Sequence, residues 1–396
     1  MTNKTYSAAS GQGIYGGRFN LPLWRQGMNI YDVVAIPHVA PLSSINPENN
    51  PAINPNYPSP SQWKGSTGFA SVVSGYCGAA WDDVTGRFWL PLGGGHNDYG
   101  GNETLFTYLM DDAPVWQMLH PPSGAVGNVI LLNDGAEASG LYSDGRFRAV
   151  HSYGYPLAMN GRVYNGAQIA TFYSGQSGKG WFIEIDAGTG DHSLVCDYTT
   201  NGANIGSGYG ATAGDPTRNK AYVIGKGSTR IVDVNLNNGA FAPIGGSAEN
   251  ILGEYCTGIY IPEADKIMFV AQQTANTAYR AHRGLIVINP ANNAVSYPVC
   301  ENYPSFLGGA VGAAWCGDKL LLWDNATQTN KFAVLTPSNP NDLTQPWTVS
   351  EITGIGETIT QRQGAGTYNR LQYSKRLGGV LLYNDVTQPI FFMRTN

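Results

Sequence analysis

Short apolar runs separated by tight turns recur along the whole chain. Each run is four or five residues long and follows a turn rich in Asp, Asn and Gly. The runs lie at residues 88–92, 147–150, 221–224, 267–271, 320–323 and 380–383. No segment of helical length shows the 3.6-residue period of an amphipathic helix. The pattern therefore predicts an all-β protein.

The runs belong to a unit that repeats. In this unit a strand of small residues leads through a turn and a basic residue into the apolar strand. Copies begin at residues 75, 208, 254 and 367, and shorter versions lie at 141–147 and 314–320. A second hairpin follows in several copies. Four strands per unit and six units are typical of a six-bladed β-propeller; a seventh blade within residues 1–74 is the alternative.

The last unit ends one strand short. After the apolar runs at 380–383 and 390–393 the chain reaches Asn396, whereas the run at 30–36 belongs to no unit. A free sheet edge invites pairing with another chain. We therefore predict that an N-terminal strand closes the ring. Residues 1–69 are expected to form an N-terminal extension with this strand and a Pro/Asn-rich loop, and residues 70–396 the propeller.

The composition of the chain limits its possible binding partners and its expected cellular location. Charged residues make up 13% of the chain and the net charge is −5, which argues against nucleic acid as a partner. No apolar stretch is long enough to predict a membrane span. The N-terminus lacks the apolar core of a secretory signal. We expect a protein made in the cytoplasm and incorporated into a virion, with its five cysteines unpaired.

A glycine-rich stretch with a cluster of polar side chains joins the runs at 88–92 and 105–109. The cluster consists of His96, Asn97, Asp98, Tyr99, Asn102 and Glu103. Glycine allows positive φ and close backbone approach, so the stretch predicts a long, shaped hairpin loop. Two interpretations remain open. The loop binds a ligand on a rigid scaffold, or its polar groups satisfy its own backbone.

One end of the ring is the predicted site. Strands alternate in direction within a blade, so the loop after the second strand and the connector to the next blade leave at the same face. Polar and aromatic residues are concentrated there, in the loop at 92–103, in residues 151–165 of the second unit and in residues 272–283 of the fourth. Tyr99, Tyr153 and Tyr164 are candidate stacking faces for a sugar.

Two sequence features resemble a known family. The Gly-Gly after the second strand of the first unit, with Tyr108 and Trp116 further on, resembles the kelch and galactose-oxidase-like propellers over residues 70–396. The string Gly-Gly-His-x-Asp-Tyr-x-Gly-Asn-Glu at 94–103 is similar to uncharacterised kelch-like proteins of bacteria and phages. The resemblance implies a propeller fold and a phage or bacterial setting, without a settled activity.

Three functions are compatible with these features. The first is recognition of a surface glycan. The second is a structural role in a virion, as part of a tail fibre, collar or decoration, in contact with other virion proteins. The third is a polysaccharide lyase acting on an acidic glycan. A lyase tyrosine has an ordinary pKa of ~10 and needs a neighbouring cation to act as a base.

The candidate residues are therefore assigned by type alone. No cofactor or metal is expected, because a histidine in a glycine-rich turn is more often a hydrogen-bonding strut than a ligand. No catalytic residue is assigned; the candidates for a lyase are His96, His151, Arg162 and Tyr164. The predicted ligand-binding residues are His96, Asn97, Asp98, Tyr99, Asn102, Glu103, Tyr153, Tyr279, Arg280 and His282.

Overall fold

The strands form a closed ring of six antiparallel blades. The computed structural model describes residues 21–54, 56–59, 64–94, 98–123, 141–142, 144–166, 181–197, 207–226, 231–244, 256–270, 284–300, 307, 310–325, 329–364 and 366–396. Within these residues five blades each have four consecutive hydrogen-bonded strands, and the sixth has three C-terminal strands, one N-terminal strand and a short fifth strand. The predicted six-bladed β-propeller is confirmed, and the seven-bladed alternative is wrong.

Each blade runs from an inner strand near the ring axis to an outer strand at the rim. The strands are β1 (Asp32–Ala35), β2 (Ala80–Asp82), β3 (Arg87–Pro91), β4 (Thr104–Tyr108), β5 (Trp116–Met118), β6 (Pro156–Met159), β7 (Arg162–Asn165), β8 (Trp181–Ile185), β9 (His192–Asp197), β10 (Ser207–Asp215), β11 (Lys220–Lys226), β12 (Ile231–Asn235), β13 (Phe241–Ile244), β14 (Thr257–Ile261), β15 (Lys266–Val270), β16 (Leu285–Asn289), β17 (Ala294–Ser296), β18 (Gly312–Trp315), β19 (Leu320–Trp323), β20 (Lys331–Pro337), β21 (Trp347–Thr353), β22 (Ile355–Gly356), β23 (Leu371–Ser374), β24 (Gly379–Leu382) and β25 (Phe391–Arg394). Blades 1 to 5 are β2–β5, β6–β9, β10–β13, β14–β17 and β18–β21.

Among the described residues, helical structure is confined to short segments. The α-helix α1 spans Ser71–Ser74, and single 3₁₀ turns lie at Leu23–Arg25, Leu42–Ile45, Pro47–Asn49, Gly68–Ala70 and Tyr368–Arg370. Most of them belong to the N-terminal segment that precedes blade 1. The Tyr368–Arg370 turn instead lies just before the inner strand of blade 6, a position that matters for the site described below.

Small residues on the inner strands allow the blades to converge. A Cβ at Gly258 of β14 would lie 2.4 Å from the carbonyl oxygen of Thr212 on the neighbouring inner strand β10. A Cβ at Gly312 of β18 would lie 2.6 Å from Thr367 Cγ2, next to blade 6. Contacts this short exclude any larger side chain. The crowding accounts for the small-residue strand that opens each repeat.

The N-terminal strand closes the ring as predicted. β1 pairs antiparallel with β25, with Val33 opposite Met393 and Ala35 opposite Phe391. Blade 6 is thus built from β23, β24, β25 and β1, which joins the two ends of the chain in one sheet. The outer edge of β1 is in turn paired with the two-residue strand β22, in parallel orientation. The strand spans residues 32–35, inside the predicted run 30–36.

The predicted position of the second blade is wrong. Residues 147–150 form no strand, and the segment 141–147 contributes only an isolated bridge between Leu141 and Phe147. The first hairpin of blade 2 is β6–β7, joined by Asn160 and Gly161, which have φ of 55° and 76°. Two such residues make a tight hairpin turn. This turn lies inside the stretch 151–165, for which the sequence predicted a single loop.

All five cysteines are buried thiols, in agreement with the prediction. Desolvation raises the pKa of the Cys77 thiol above its ordinary value, which keeps it protonated. No helix in the described part of the chain is long and apolar enough to cross a membrane.

Candidate functional site at the mouth of the propeller

The loops of one face make polar and aromatic contacts between blades. We call this face the mouth: it is where the loops after the second strands and the connectors between blades emerge. Its described segments are 64–79, 92–94, 98–103, 144–155, 324–325, 329–330, 357–364, 366–370 and 383–390. The opposite face carries the short turns within each hairpin.

A histidine and an aspartate pair across the boundary of blades 1 and 2. His151 Nε2 lies 2.8 Å from Asp98 Oδ2. His151 is 7% exposed, whereas the Asp98 side chain is 29% exposed and reaches solvent. Nε2 donates to the carboxylate in the tautomer that this contact favours, which leaves Nδ1 as an acceptor. Tyr153 Oη lies 3.4 Å from that Nδ1.

The N-terminal segment fixes the position of Asp98. Its Oδ1 accepts hydrogen bonds from the hydroxyl groups of Ser66 at 3.1 Å and Thr67 at 3.3 Å. Its backbone carbonyl oxygen accepts from the amide groups of Thr67 and Gly68. The carboxylate is therefore held by two hydroxyl donors on one oxygen and by the histidine on the other. A carboxylate fixed in this way is preorganised to meet a ligand.

Three tyrosine rings and His151 form a cluster of aromatic contacts. The Tyr76 ring is half-buried, and its centroid lies 4.9 Å from that of His151. The Tyr153 ring lies 5.8 Å from Tyr76 and 5.9 Å from His151. Tyr368, from the connector into blade 6, meets Tyr153 edge-on at 5.6 Å. We call Tyr76, His151, Tyr153 and Tyr368 the aromatic cluster. Of these, Tyr76 is the member with a ring partly open to solvent.

Backbone strain is concentrated in the same place. Tyr76, Leu92, Tyr153 and Tyr368 have φ between 40° and 59°. Bulky residues rarely adopt this left-handed conformation, which costs ~1–2 kcal/mol each. Most other non-glycine residues with positive φ in the described chain are Asn or Asp in hairpin turns, where the conformation is ordinary. Strain of this kind persists where surrounding structure enforces it, and it clusters at functional sites.

Asn369 closes the ring axis beneath the aromatic cluster. Its Oδ1 accepts from the Ala79 amide of blade 1 at 3.1 Å, and its Nδ2 donates to the Pro156 carbonyl oxygen of blade 2 at 2.7 Å. Gly78 has room for no side chain, because a Cβ there would lie 1.8 Å from Asn369 Oδ1. The mouth therefore has a floor at this level, and a ligand would rest on it.

A buried ion pair borders the cluster on the side of blades 5 and 6. Asp324 Oδ1 lies 2.8 Å from Arg362 Nε and accepts from the Thr367 hydroxyl at 3.0 Å. Burial raises the pKa of Asp324 to about 6, although the Arg362 cation opposes this change. Arg370 is fully buried and donates to three backbone carbonyl oxygens, including those of Val73 and Gly366. These contacts hold the connector that carries Tyr368.

Three residues of the glycine-rich loop have buried side chains. Tyr99 is fully buried, and its hydroxyl donates to Glu103 Oε1 at 2.8 Å. Burial raises the pKa of Glu103 to about 7. Asn102 Nδ2 donates to Ser123 Oγ and to the Phe147 carbonyl oxygen, both at 2.9 Å. The three side chains thus bond to one another and to Ser123 and Phe147 outside the loop, and these bonds do not go to the loop's own backbone.

Two of the lyase candidates do not lie at the mouth. Arg162 begins β7, so it lies at the opposite face, where its half-exposed side chain is 3.5 Å from Glu184. Tyr164 lies within β7 and is fully buried against Phe182. Burial raises the pKa of Tyr164 above its ordinary value and keeps it protonated. The structure therefore brings Arg162 and Tyr164 together, through a hydrogen bond between their side chains, and places His151 at the mouth instead.

Five predicted site residues lie outside the described residues: His96, Asn97, Tyr279, Arg280 and His282. Of the others, Asp98, His151 and Tyr153 lie in contact at the mouth. Within the described chain, no group of three or more His, Cys, Asp or Glu side chains is arranged to hold a metal ion.

Sequence analysis missed Tyr76, Tyr368 and the hydroxyl pair of Ser66 and Thr67. A signal for the two tyrosines was present, because the repeats beginning at residues 75 and 367 both open with a tyrosine at their second position. That position comes shortly before the inner strand, and its side chain lies at the mouth. Ser66 and Thr67 had no such signal, since their contact with Asp98 crosses more than 30 residues of chain.

Comparison with known proteins identifies no family for this chain. The chain matches no family model, and no curated protein is similar to it. A solved structure that resembles it is a structural genomics protein of unknown function from Bacteroides thetaiotaomicron, with 11% identity and a TM-score of 0.46. The match covers 92% of this chain and 75% of that one. A similarity at this level carries no argument about activity.

Proposed function

We propose that the protein binds a surface glycan at the mouth of its propeller, as a component of a phage or prophage virion. The observation that carries the proposal is the contact between the half-buried Tyr76 ring and the His151–Asp98 pair. His151 thus contacts both the partly exposed Tyr76 and the partly exposed carboxylate of Asp98. Sugars are bound through both features, with C–H faces stacked on rings and hydroxyl groups donating to carboxylates.

The geometry favours binding over contact with a flat protein surface. Three tyrosines with positive φ and a carboxylate fixed by hydrogen bonds are energetically costly to hold in place. A surface with only a structural role would not need them. The floor formed by Asn369 limits the depth of the site. The kelch-like and phage aspects of the proposal are supported by the sequence string at 94–103, which belongs to the loop that carries Asp98.

A glycan array followed by titration calorimetry tests this function. We expect a glycan ligand whose affinity falls ~5–100-fold in the Tyr76→Ala and Asp98→Asn variants, in line with ~1–3 kcal/mol for a lost stacking or hydrogen-bonding contact. Arg162→Ala, at the opposite face, serves as the matched control and should bind like the wild type. If the array shows no ligand while the protein is captured by virion subunits, the interface role replaces the glycan role.

Polysaccharide elimination is the second candidate. It is favoured by the chain of contacts that runs from Tyr153 through His151 to Asp98. His151 Nδ1 would accept the Tyr153 proton, and the phenolate would take the proton next to a uronate carboxylate while the glycosidic C–O bond breaks. The leaving oxygen would take the proton held by the His151 imidazolium, which returns both side chains to their starting state. Tyr153 is only 1% exposed, which is why binding is preferred. Ultraviolet absorbance from unsaturated uronides, abolished by Tyr153→Phe, would establish elimination instead.

A further inference from the structure

A groove lies between the N-terminal segment and the outer strand of blade 1, where the connector into blade 2 begins, and no residue of the aromatic cluster lines it. It has a volume of about 510 Å³, within the range of small-ligand sites. Its lining residues are Ser44, Ile45, Asn46, Asn49, Asn50, Ile53, Met118, Leu119, His120 and Pro121. None of them is an acidic residue, a lysine or an arginine. The groove is therefore uncharged wherever His120 is neutral.

His120 is held in the neutral form. It is 5% exposed, and its Nδ1 lies 2.9 Å from the Pro121 carbonyl oxygen and 3.1 Å from the Arg146 guanidinium. Burial lowers the pKa of His120 below its ordinary value, and the Arg146 cation acts in the same direction. A charged ligand would thus find no opposite charge in the groove and would lose its hydration on entry.

Two asparagines present oriented donors to the groove. Asn46 Oδ1 accepts from the Glu48 amide at 2.9 Å, and Asn50 Oδ1 accepts from the Ala52 amide at 3.0 Å. These local turns fix each side chain by its oxygen. The Nδ2 group of each amide then faces away from its own backbone. Neither Nδ2 donates to a protein atom among the described residues, so both are available to an acceptor on a ligand.

The remainder of the lining is apolar. Ile45, Ile53, Met118 and Leu119 are each partly exposed in the groove. A peptide is disfavoured as a β-strand addition to the outer edge of β5, because the 3₁₀ turn Leu42–Ile45 packs against that strand. The ligand must instead combine hydrogen-bond acceptors with small apolar groups and carry no charge.

We propose that this groove is a second binding site, independent of the mouth, for an uncharged saccharide that carries acetamido groups. The acetamido carbonyl oxygen accepts from the Nδ2 groups of Asn46 and Asn50. Its methyl group packs against Met118 and the neighbouring aliphatic side chains. The hydroxyl groups of the sugar face the solvent at the open side of the groove.

The test uses variants that change the donors and little else. In Asn46→Asp/Asn50→Asp the remaining oxygens keep both local turns, while each amide donor is replaced by an acceptor. Asn339→Asp is the matched control, because Asn339 makes the same kind of turn with the Asn341 amide at 3.0 Å, away from the groove. Thermal unfolding of all three proteins shows whether the fold is preserved.

Binding of di-N-acetylchitobiose is measured by titration calorimetry, with cellobiose as the unacetylated probe. We expect the acetylated disaccharide to bind at least 10-fold more tightly, to lose at least 10-fold in affinity in the double variant and to be unaffected by Asn339→Asp. In ¹³C-methyl-methionine spectra the Met118 signal should shift on binding, whereas that of fully buried Met268 should not. Equal binding of cellobiose, unchanged binding by a folded double variant, an unmoved Met118 signal or no binding at all would each overturn the proposal. If Tyr76→Ala loses glycan binding at the mouth but still binds di-N-acetylchitobiose in the groove, the two sites are independent.

Discussion

His151 Nε2 lies 2.8 Å from Asp98 Oδ2, although the two residues are 53 positions apart in the chain. The aspartate comes from the glycine-rich loop of blade 1, and the histidine from the connector into blade 2. The contact joins two blades at the mouth and sets the tautomer of the histidine. The same histidine ring packs against that of Tyr76, the partly exposed aromatic of the cluster.

Replacement of Asp98 should cost stability as well as affinity. In Asp98→Ala the nearly buried Nε2 of His151 and the hydroxyl groups of Ser66 and Thr67 lose their acceptor. We expect the free energy of unfolding to fall by ~1–3 kcal/mol. Urea denaturation measures this change. Asp318→Ala removes a carboxylate that is 78% exposed and should leave the midpoint unmoved. An equal effect of both substitutions would contradict the assigned role of Asp98.

Ring closure depends on the burial of β1. Val33 is 2% exposed and pairs with Met393 of β25. A charge at Val33 would be buried without a partner, so Val33→Asp should destabilise the protein by more than ~3 kcal/mol and expose the edge of β25. Light scattering during thermal unfolding should reveal aggregation at lower temperature. Val39→Asp, at a site that is 68% exposed, is the control. A soluble Val33→Asp protein of normal stability would show that the ring closes without β1.

Asn369 ties blade 6 to blades 1 and 2 at the axis. Asn369→Ala leaves the Ala79 amide without its acceptor and the Pro156 carbonyl oxygen without its donor. Both groups lie in a region closed to water, so we expect a loss of ~2–4 kcal/mol in the free energy of unfolding. Differential scanning calorimetry should record a lower transition temperature. Asn341→Ala, an exposed residue, should leave this temperature unchanged. The same result for Asn369→Ala would mean that the axis is held together by backbone contacts alone.

Glu103 should make stability fall as the pH rises. Burial raises its pKa from 4.5 to about 7 in the folded protein, so between these pH values the folded state keeps a proton that the unfolded state releases. This contribution is fully present below pH 4.5 and is lost as the pH rises through about 7. Glu103→Gln keeps an acceptor for the Tyr99 hydroxyl and cannot ionise.

The stability of Glu103→Gln relative to the wild type should therefore increase steadily across that window and level off above it. Denaturant titrations at several pH values measure the difference, with the exposed Glu357→Gln as the control for loss of a carboxylate. A difference that does not depend on pH would show that Glu103 ionises normally in the folded state.

Arg162 should be dispensable at the mouth. It lies at the opposite face, 52% exposed and 3.5 Å from Glu184. Exposed ion pairs of this kind contribute ~0–1 kcal/mol. Arg162→Ala should therefore change stability by less than ~1 kcal/mol and leave both ligand affinity and any elimination activity unchanged. A specific loss of either activity in a stable variant would return Arg162 to the site.

The sequence alone determined the architecture of the ring. The repeated small strand, turn and apolar strand gave the number of blades, because side-chain size near the axis and turn chemistry are local properties of each copy. The incomplete last unit and the orphan run at 30–36 similarly indicated the closure that β1 makes with β25. The local pattern was misleading at blade 2. Residues 141–147 have the sequence of a hairpin but contribute only an isolated bridge among the described residues, and the first hairpin of the blade begins at Pro156.

Only the tertiary structure decided which polar residues share the mouth. Asp98, His151 and Tyr153 had been placed together by topology, yet Tyr99, Asn102 and Glu103 from the same loop turn inward, and Arg162 lies at the other face. Residue type does not record direction: a tyrosine in a polar loop is equally suited to stack on a sugar or to bond a buried carboxyl group. That choice depends on contacts made across blades, such as those of Ser66 with Asp98 and of Asn369 with Pro156, which no local pattern encodes.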